Sequence, residues 1–224
     1  HADIRFAQLD GQPLHGYLNQ PASSGPRPGV VLIHENRGLN PHIRDVARRL
    51  ALAGFTVLAP DYLSTQGGTP SDEDRARQAF AEMDPVLARR ISLAALAALR
   101  ERGATKVGAL GFCWGGGTVG DLAVNATSLK AGVVYYGRQP KSADVEKISA
   151  PLLLHYAGLD ERVNAGIPAF EEALKKAQKK YTLYVYEGVN HAFNNDTSQA
   201  RYNKQAAETA WGRTIAFLKE QLKA

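Results

Sequence analysis

The sequence predicts an α/β fold in which a mostly parallel central sheet is flanked by helices and preceded by an antiparallel hairpin. Two observations support this class. Apolar runs of strand length alternate with segments of helix length along most of the chain, which is typical of a parallel sheet covered on both faces. The first segment, IRFAQLDGQPLHGYLNQP, instead alternates in polarity around Asp10-Gly11, which is a hairpin signal.

The elements of the first half follow from local patterns. Continuous apolar runs over 28–35 and 55–60 suit strands that are buried on both faces. Between them, apolar residues at helical spacing predict a helix over 42–54. Residues 62–74 have the composition of a loop, and their PSDED stretch offers N-cap residues for a following helix. A further helix is expected over about 85–102.

The second half continues the same alternation. Helices are predicted over 116–127, 167–180 and about 199–223, and strands over 106–112, 131–137, 151–158 and 181–188. No internal repeat, low-complexity tract or linker interrupts the 224 residues, so one domain spanning residues 1–224 is expected.

Composition narrows the possible partners. The formal net charge is +5, but the basic residues are scattered, so we expect no nucleic-acid partner. No apolar run approaches the roughly 18 residues of a membrane span, so no membrane partner is expected. No signal peptide is visible, which predicts a cytoplasmic protein, although the His1 start leaves a removed export signal open. A monomer or small homo-oligomer is expected.

The only cysteine, Cys113, lies in KVGALGFCWGGGTVGD, where a predicted strand runs into G-x-C-x-G and then a helix. A lone cysteine is usually a small buried hydrophobe. This layout, however, is that of a nucleophile elbow, in which Gly111 and Gly115 give the space that a strained turn needs. The turn places the thiol at a helix N-terminus and the backbone N–H of Trp114 where it can donate to an oxyanion. We therefore interpret Cys113 as a nucleophile.

A nucleophile needs a base, and the base needs an acid to orient it. In this scaffold the chain order is nucleophile, acid, histidine. Asp160 follows the predicted strand over 151–158, and His191 follows the strand over 181–188. Because the carboxyl ends of parallel strands meet at one edge of a sheet, these two side chains are expected to converge on Cys113. Each residue alone would more often be a cap carboxylate or a surface histidine.

Glu35 ends the first parallel strand at the same edge. It is either a solvated loop carboxylate or a neighbour of the thiol, in which case its charge would disfavour the thiolate. The backbone N–H of Asn36 occupies the position that supplies the second oxyanion donor in this scaffold.

Five stretches together resemble the dienelactone hydrolase family, also called carboxymethylenebutenolidases: HENRGLNPHIRDVARRLALAGFTVLAPDYL, GFCWGGG, VVYYG, HYAGLD and GVNHAF. The resemblance runs from about residue 28 to the C-terminus. It implies an α/β-hydrolase fold and hydrolysis of small-molecule lactones or esters, without a cofactor, through Cys113 as nucleophile, Asp160 as acid and His191 as base. It also implies that Glu35 holds the resting thiol unreactive until substrate displaces it.

One position departs from the family. Members that act on dienelactone have an arginine four residues beyond the catalytic histidine, where this chain has Asn195. The candidates to compensate as substrate-binding residues are Arg75, Arg77 and Arg138. Two tyrosines, Tyr135 and Tyr136, are candidates to line an acyl site, although ordinary aromatic packing would explain them equally well.

Two other functions stay open from the sequence alone. GGGTVG, residues 115–120, satisfies the dinucleotide-binding pattern, which would make the protein an NADP-dependent oxidoreductase, although two strand–helix units precede it. The second open function is that of a non-catalytic binding module with the same fold. No metal site is expected, because His34-Glu35 with His42 does not form the H-E-x-x-H pattern.

Overall fold

In the computed structural model, which describes residues 1–223, eight strands form one sheet. Their order across the sheet is β1-β2-β4-β3-β5-β6-β7-β8. The strands are β1 (Ala2–Leu9), β2 (Gln12–Asn19), β3 (Arg27–Ile33), β4 (Thr56–Pro60), β5 (Ala104–Phe112), β6 (Gly132–Tyr135), β7 (Leu152–Ala157) and β8 (Tyr181–Tyr186). β1 and β2 form the predicted antiparallel hairpin, and β3 to β8 are mutually parallel, so the predicted fold class is confirmed.

Seven α-helices flank the sheet within the described residues. They are α1 (Pro41–Leu52), α2 (Glu73–Ala81), α3 (Pro85–Glu101), α4 (Trp114–Asn125), α5 (Glu161–Asn164), α6 (Ile167–Lys176) and α7 (Lys204–Leu222). Short 3₁₀ turns cover Ser64–Gln66 and Ser142–Lys147. Side-chain caps fix several helix starts: Asn40, Asp72 and Asp84 accept backbone N–H groups of α1, α2 and α3.

Each face of the sheet has its own apolar core. Successive residues of β3 alternate between them: Val31 and Ile33 pack on one side, and Val30 and Leu32 on the other. The first core includes apolar residues of α3, α4 and α6, and the second includes residues of α1 and α7. The double covering explains why the parallel strands are continuous apolar runs.

Two predicted helix boundaries are wrong by four or more residues, and one short helix is missing from the prediction. The last helix begins at Lys204 rather than near 199, because Asn203 caps it by accepting the Ala206 N–H at 2.9 Å. The helix α6 ends at Lys176 rather than 180, since Gln178 has a left-handed φ of 55°. The four-residue helix α5 is absent from the sequence prediction, because a single turn is too short to show a periodic pattern.

Candidate active site

The predicted elbow forms between β5 and α4. Cys113 has φ 58° and ψ −118°, a strained conformation for a residue with a side chain. The glycines beside it are required by contact: a Cβ on Gly111 would lie 2.2 Å from the Gly115 carbonyl oxygen, and one on Gly115 would lie 2.4 Å from the His34 carbonyl oxygen. The strand and helix are therefore tightly packed around a cysteine held on a sharp turn.

The Cys113 thiol is mostly withdrawn from water. Burial first and the neighbouring Glu35 carboxylate second raise its pKa to about 11, against a lowering by the Trp114 backbone N–H. The thiol is therefore protonated at neutral pH in this arrangement. Among the described residues it makes no side-chain hydrogen bond, either to His191 or to Glu35.

Asp160 and His191 form the predicted acid–histidine pair. Asp160 lies in the turn after β7, and its Oδ2 is 2.5 Å from His191 Nδ1 in the turn after β8. The other carboxylate oxygen, Oδ1, accepts the Val163 N–H of α5 at 3.4 Å. Because Nδ1 is engaged by the carboxylate, the ring is fixed with Nε2 as the nitrogen left to exchange a proton.

A cavity of about 690 Å³ brings the predicted catalytic groups together. Cys113, Asp160 and His191 all line it, as do Asn36 and Trp114, the residues predicted to supply the oxyanion-binding N–H groups. The remaining lining residues are Arg77, Phe80, Ala81, Tyr136, Arg138, Gln139, Arg162 and Val163. The Tyr136 ring lies 4.9 Å from the His191 ring, between centroids.

Two of the five candidate substrate-binding residues do not reach this cavity. Tyr135 is fully buried within β6, where its hydroxyl lies 2.7 Å from Thr214 Oγ1. Arg75 does not line the cavity, whereas Arg77 does. The physical reason is that residues two apart on α2 point in different directions. The other three, Arg77, Tyr136 and Arg138, are at the cavity.

Glu35 is a buried carboxyl group beside the thiol. Its Oε1 accepts the Asn195 side-chain N–H at 3.3 Å and lies 3.9 Å from His42 Nε2. Burial raises its pKa to about 7, although the charges of Arg37 and Arg201 act in the opposite direction. Asn195, the position at which the chain departs from the family pattern, thus donates a hydrogen bond to the carboxyl group that the resemblance predicts to restrain the thiol.

His34 is a supporting residue that the sequence analysis considered only as a metal ligand. Its Nδ1 lies 2.8 Å from the Glu35 carbonyl oxygen, and its Nε2 accepts the Tyr62 N–H at 3.2 Å. Since a trans peptide places C=O and N–H on opposite sides, the Asn36 N–H faces away from His34. The imidazole also stacks on the Trp114 indole, with centroids 5.6 Å apart. His34 therefore supports both residues of the predicted oxyanion site.

Close packing explains two glycines of the dinucleotide-like stretch GGGTVG, residues 115–120. A Cβ on Gly116 would lie 2.9 Å from the Gly137 Cα, and one on Gly120 would lie 3.2 Å from Pro140. These contacts hold α4 against the segment that follows β6. No group of three or more metal-ligating side chains occurs among residues 1–223, and no helix there is long and apolar enough to cross a membrane.

This sheet order and the position of the elbow define an α/β-hydrolase fold. The chain belongs to the dienelactone hydrolase family, whose sequence model matches residues 14–222. It is therefore a dienelactone hydrolase-like hydrolase.

Named relatives agree with this assignment. A Saccharolobus solfataricus protein, provisionally named a carboxymethylenebutenolidase, is 32% identical over 96% of both chains. A Bradyrhizobium protein, provisionally named a 2-oxo-3-(5-oxofuran-2-ylidene)propanoate lactonase, is 31% identical over 95% of this chain and 92% of its own. A crystal structure from Klebsiella pneumoniae, provisionally a dienelactone hydrolase, superposes with a TM-score of 0.88 at 26% identity over 96% of both chains.

Proposed function

We propose that the protein hydrolyses lactone or carboxylic ester bonds through a Cys113–His191–Asp160 triad and an acyl-enzyme intermediate. The observation that carries this proposal is the joint lining of one cavity by a strained cysteine and by a histidine whose Nδ1 is held by a carboxylate. The family supports the hydrolase class, and the lactonase relative supports a lactone or ester as the bond that is cleaved.

The first half of the reaction forms the acyl-enzyme. His191 Nε2 accepts the proton of Cys113 Sγ, and the sulfur attacks the substrate carbonyl carbon. The carbonyl oxygen becomes an oxyanion that accepts hydrogen bonds from the Asn36 and Trp114 N–H groups. The tetrahedral intermediate collapses as the bond to the leaving oxygen breaks, and the imidazolium returns its proton to that oxygen.

The second half releases the acid. His191 Nε2 accepts a proton from water, and the hydroxyl oxygen attacks the thioester carbon. The carbon–sulfur bond then breaks, and Cys113 recovers its proton from the imidazolium. Asp160 orients the ring through both steps. Every proton transfer uses residues of this chain, so the scheme needs no cofactor.

The resting arrangement fits a restrained nucleophile. The thiol has no hydrogen bond to His191 and lies near the Glu35 carboxyl group, whose charge opposes thiolate formation. We propose that substrate binding displaces this arrangement and that rotation of the Cys113 side chain brings the sulfur to the imidazole. In this scheme Glu35 is a positioning residue and does not touch the reacting bond.

The cavity also suits a substrate that carries a negative charge. Three arginines line it: Arg77, Arg138 and Arg162. Arg77 is paired with Asp74 at 2.7 Å, whereas Arg138 and Arg162 have no carboxylate within ion-pair distance in the described part of the chain. These two arginines are the candidates to replace the family arginine that is absent at Asn195.

The test of the proposed function is Cys113→Ala. We expect it to lose nearly all turnover of p-nitrophenyl acetate while circular dichroism shows an unchanged fold, because no other thiol is available. Wild-type protein alkylated with iodoacetamide is the matched control, since it can be modified at only one cysteine. Turnover by Cys113→Ala within a few-fold of wild type would refute the proposal.

A further inference from the structure

A second cavity opens on the same cysteine. Its volume is about 620 Å³, and it shares Cys113, Trp114, Arg138 and Gln139 with the cavity described above. Beyond these shared residues it extends along α4, with the start of α3 on one side and the segment that follows β6 on the other, as far as Val124 and Lys141. Neither Asp160 nor His191 lines it. The nucleophile thus stands where two cavities of similar size meet.

The chemistry of ester cleavage indicates which part of the substrate lies in each of the two cavities. The leaving oxygen must receive its proton from His191, so the alcohol part of the substrate lies in the cavity that contains His191. The acyl carbon is bonded to Cys113 Sγ in the intermediate, and its chain must extend away from the imidazole. The second cavity begins at Cys113 and lacks the imidazole, which is the position that an acyl chain requires.

Gly117 provides an independent observation. A Cβ on Gly115 or Gly116 would lie 2.4 or 2.9 Å from backbone atoms, so both positions require glycine, whereas one on Gly117 would meet nothing nearer than the Arg138 Cβ at 3.4 Å. Glycine inside a helix is less stable than alanine, so packing gives no reason for glycine at this position. Gly117 lines the second cavity, and the missing side chain keeps that cavity open beside Cys113.

The charges of this cavity indicate what lies at the end of the chain. Arg89 is held by Asp121, with Nε and Nη2 at 3.0 and 2.9 Å from its two oxygens, and Lys147 lies 3.5 Å from Asp144. Over residues 1–223, Lys141 has no carboxylate within ion-pair distance, and Arg138 on the shared wall has none either. The apolar Met83 and Val124 also line this cavity. An apolar chain that ends in a carboxylate matches this combination.

We propose that the second cavity is an acyl site, and that the enzyme accepts open-chain esters whose extended acyl group ends in a carboxylate near Lys141. This inference rests on the proposed function and deepens it, since it names the acyl half of the substrate. Such substrates are half-esters of dicarboxylic acids, in which the acyl and alcohol parts separate on cleavage.

The experiment compares three p-nitrophenyl esters that share a leaving group: acetate, hexanoate and the half-ester of adipic acid. Gly117→Leu fills the cavity, so the ratio of kcat/KM for hexanoate to that for acetate should fall about tenfold. Lys141→Met removes the cation, so the ratio for the adipate half-ester to hexanoate should fall about tenfold. Gly212→Leu, at an open helical glycine of α7, is the control and should leave all three values unchanged.

Two results would overturn the acyl site. One is a hexanoate-to-acetate ratio that Gly117→Leu leaves unchanged, and the other is a wild-type enzyme that does not prefer the adipate half-ester to hexanoate. Should Gly117→Leu fail to fold, Gly117→Ala and Val124→Phe narrow the same cavity and must lower the same ratio. If Cys113→Ala still hydrolyses all three esters, the proposed function itself fails. If Cys113→Ala is inactive but the ratios do not move, only the acyl site fails.

Discussion

Two histidines of this chain are bound by their neighbours in opposite ways. His155 lies inside β7, fully buried, with Nδ1 2.9 Å from the Tyr186 hydroxyl and Nε2 3.0 Å from Thr214 Oγ1. His191 lies in the turn after β8, with Nδ1 held by Asp160 and the ring at the wall of the cavity. Burial lowers the pKa of His155 to about 3, so this ring stays neutral in the folded protein.

The contrast separates a structural histidine from one that can transfer protons. A ring with both nitrogens engaged and no access to solvent stabilises the fold and has no site for a proton to arrive. A ring with one nitrogen oriented by a carboxylate and the other at a cavity can accept and donate a proton there. The residue type is the same in both cases, so only the partners and the surroundings distinguish the two.

The largest expected effect is that of His191→Ala on activity. Without the imidazole, no group removes the thiol proton or protonates the leaving oxygen, so kcat/KM for p-nitrophenyl acetate should fall about a thousandfold or more. Thermal unfolding should change little, because the ring is only partly buried. The distinction between His191 and His155 is contradicted if the variant keeps near wild-type turnover, or if its stability falls as severely as its activity.

Glu35→Gln tests a residue that combines features of both histidines. Like His155 it is buried, and like His191 it lies beside the proposed nucleophile. The folded-state pKa of Glu35 is raised from 4.5 to about 7, so the folded protein binds its proton more tightly than the unfolded chain does. The stability that this adds is fully present below pH 4.5 and is lost as the pH rises to about 7. Relative to Glu35→Gln, the wild-type free energy of unfolding should therefore fall by roughly 3 kcal/mol across that window.

Urea unfolding at a series of pH values measures this difference, with the exposed Glu172→Gln as the control that should follow wild type. If the free energies of unfolding of wild type and Glu35→Gln change in parallel with pH, the pKa of the Glu35 carboxyl group is not raised on folding.

The same variants report on the reactivity of the Cys113 thiol. Above pH 7 the carboxylate opposes thiolate formation, so Glu35→Gln should react faster with iodoacetamide in the absence of substrate. If Glu35→Gln is alkylated at the same rate as wild type or more slowly, the proposed restraining role of Glu35 is contradicted.

The smallest effect is expected for His155→Leu. The substitution removes the two hydrogen bonds of the imidazole, while Thr214 keeps Tyr135 and Tyr186 keeps Arg213 as a partner. The loss should cost about 2 kcal/mol of unfolding free energy. Ester turnover by the folded variant should remain close to wild type, since His155 does not line the cavity. Urea unfolding and the p-nitrophenyl acetate assay measure the two quantities, and a large loss of turnover without destabilisation would contradict the structural role.

The sequence predicts the acid–histidine pair because strand ends carry positional information. Cys113, Asp160 and His191 each follow a continuous apolar strand, and the carboxyl ends of parallel strands meet at one edge. The elbow is predictable as well, since a strand that runs into G-x-C-x-G and then a helix is its characteristic layout. The fold class and the hairpin follow from the change in hydrophobic period alone.

The candidate substrate-binding residues are harder to predict, because the direction of each side chain decides whether it lines the cavity. Tyr135 and Tyr136 are adjacent, yet one packs against Thr214 and the other lies beside His191. Arg162 reaches the cavity from α5, a helix too short to leave a periodic signal. The supporting role of His34 depends on the direction of a single peptide group, which no sequence pattern encodes.

The central claim is that Cys113 carries the acyl group, and mass spectrometry of the protein quenched during turnover tests it most directly. With p-nitrophenyl hexanoate we expect the intact mass to increase by one hexanoyl group, and proteolysis should place that group on the peptide containing Cys113. The adduct should be absent from Cys113→Ala. Steady turnover accompanied by an acyl group on another residue, or undiminished in Cys113→Ala, would contradict the account.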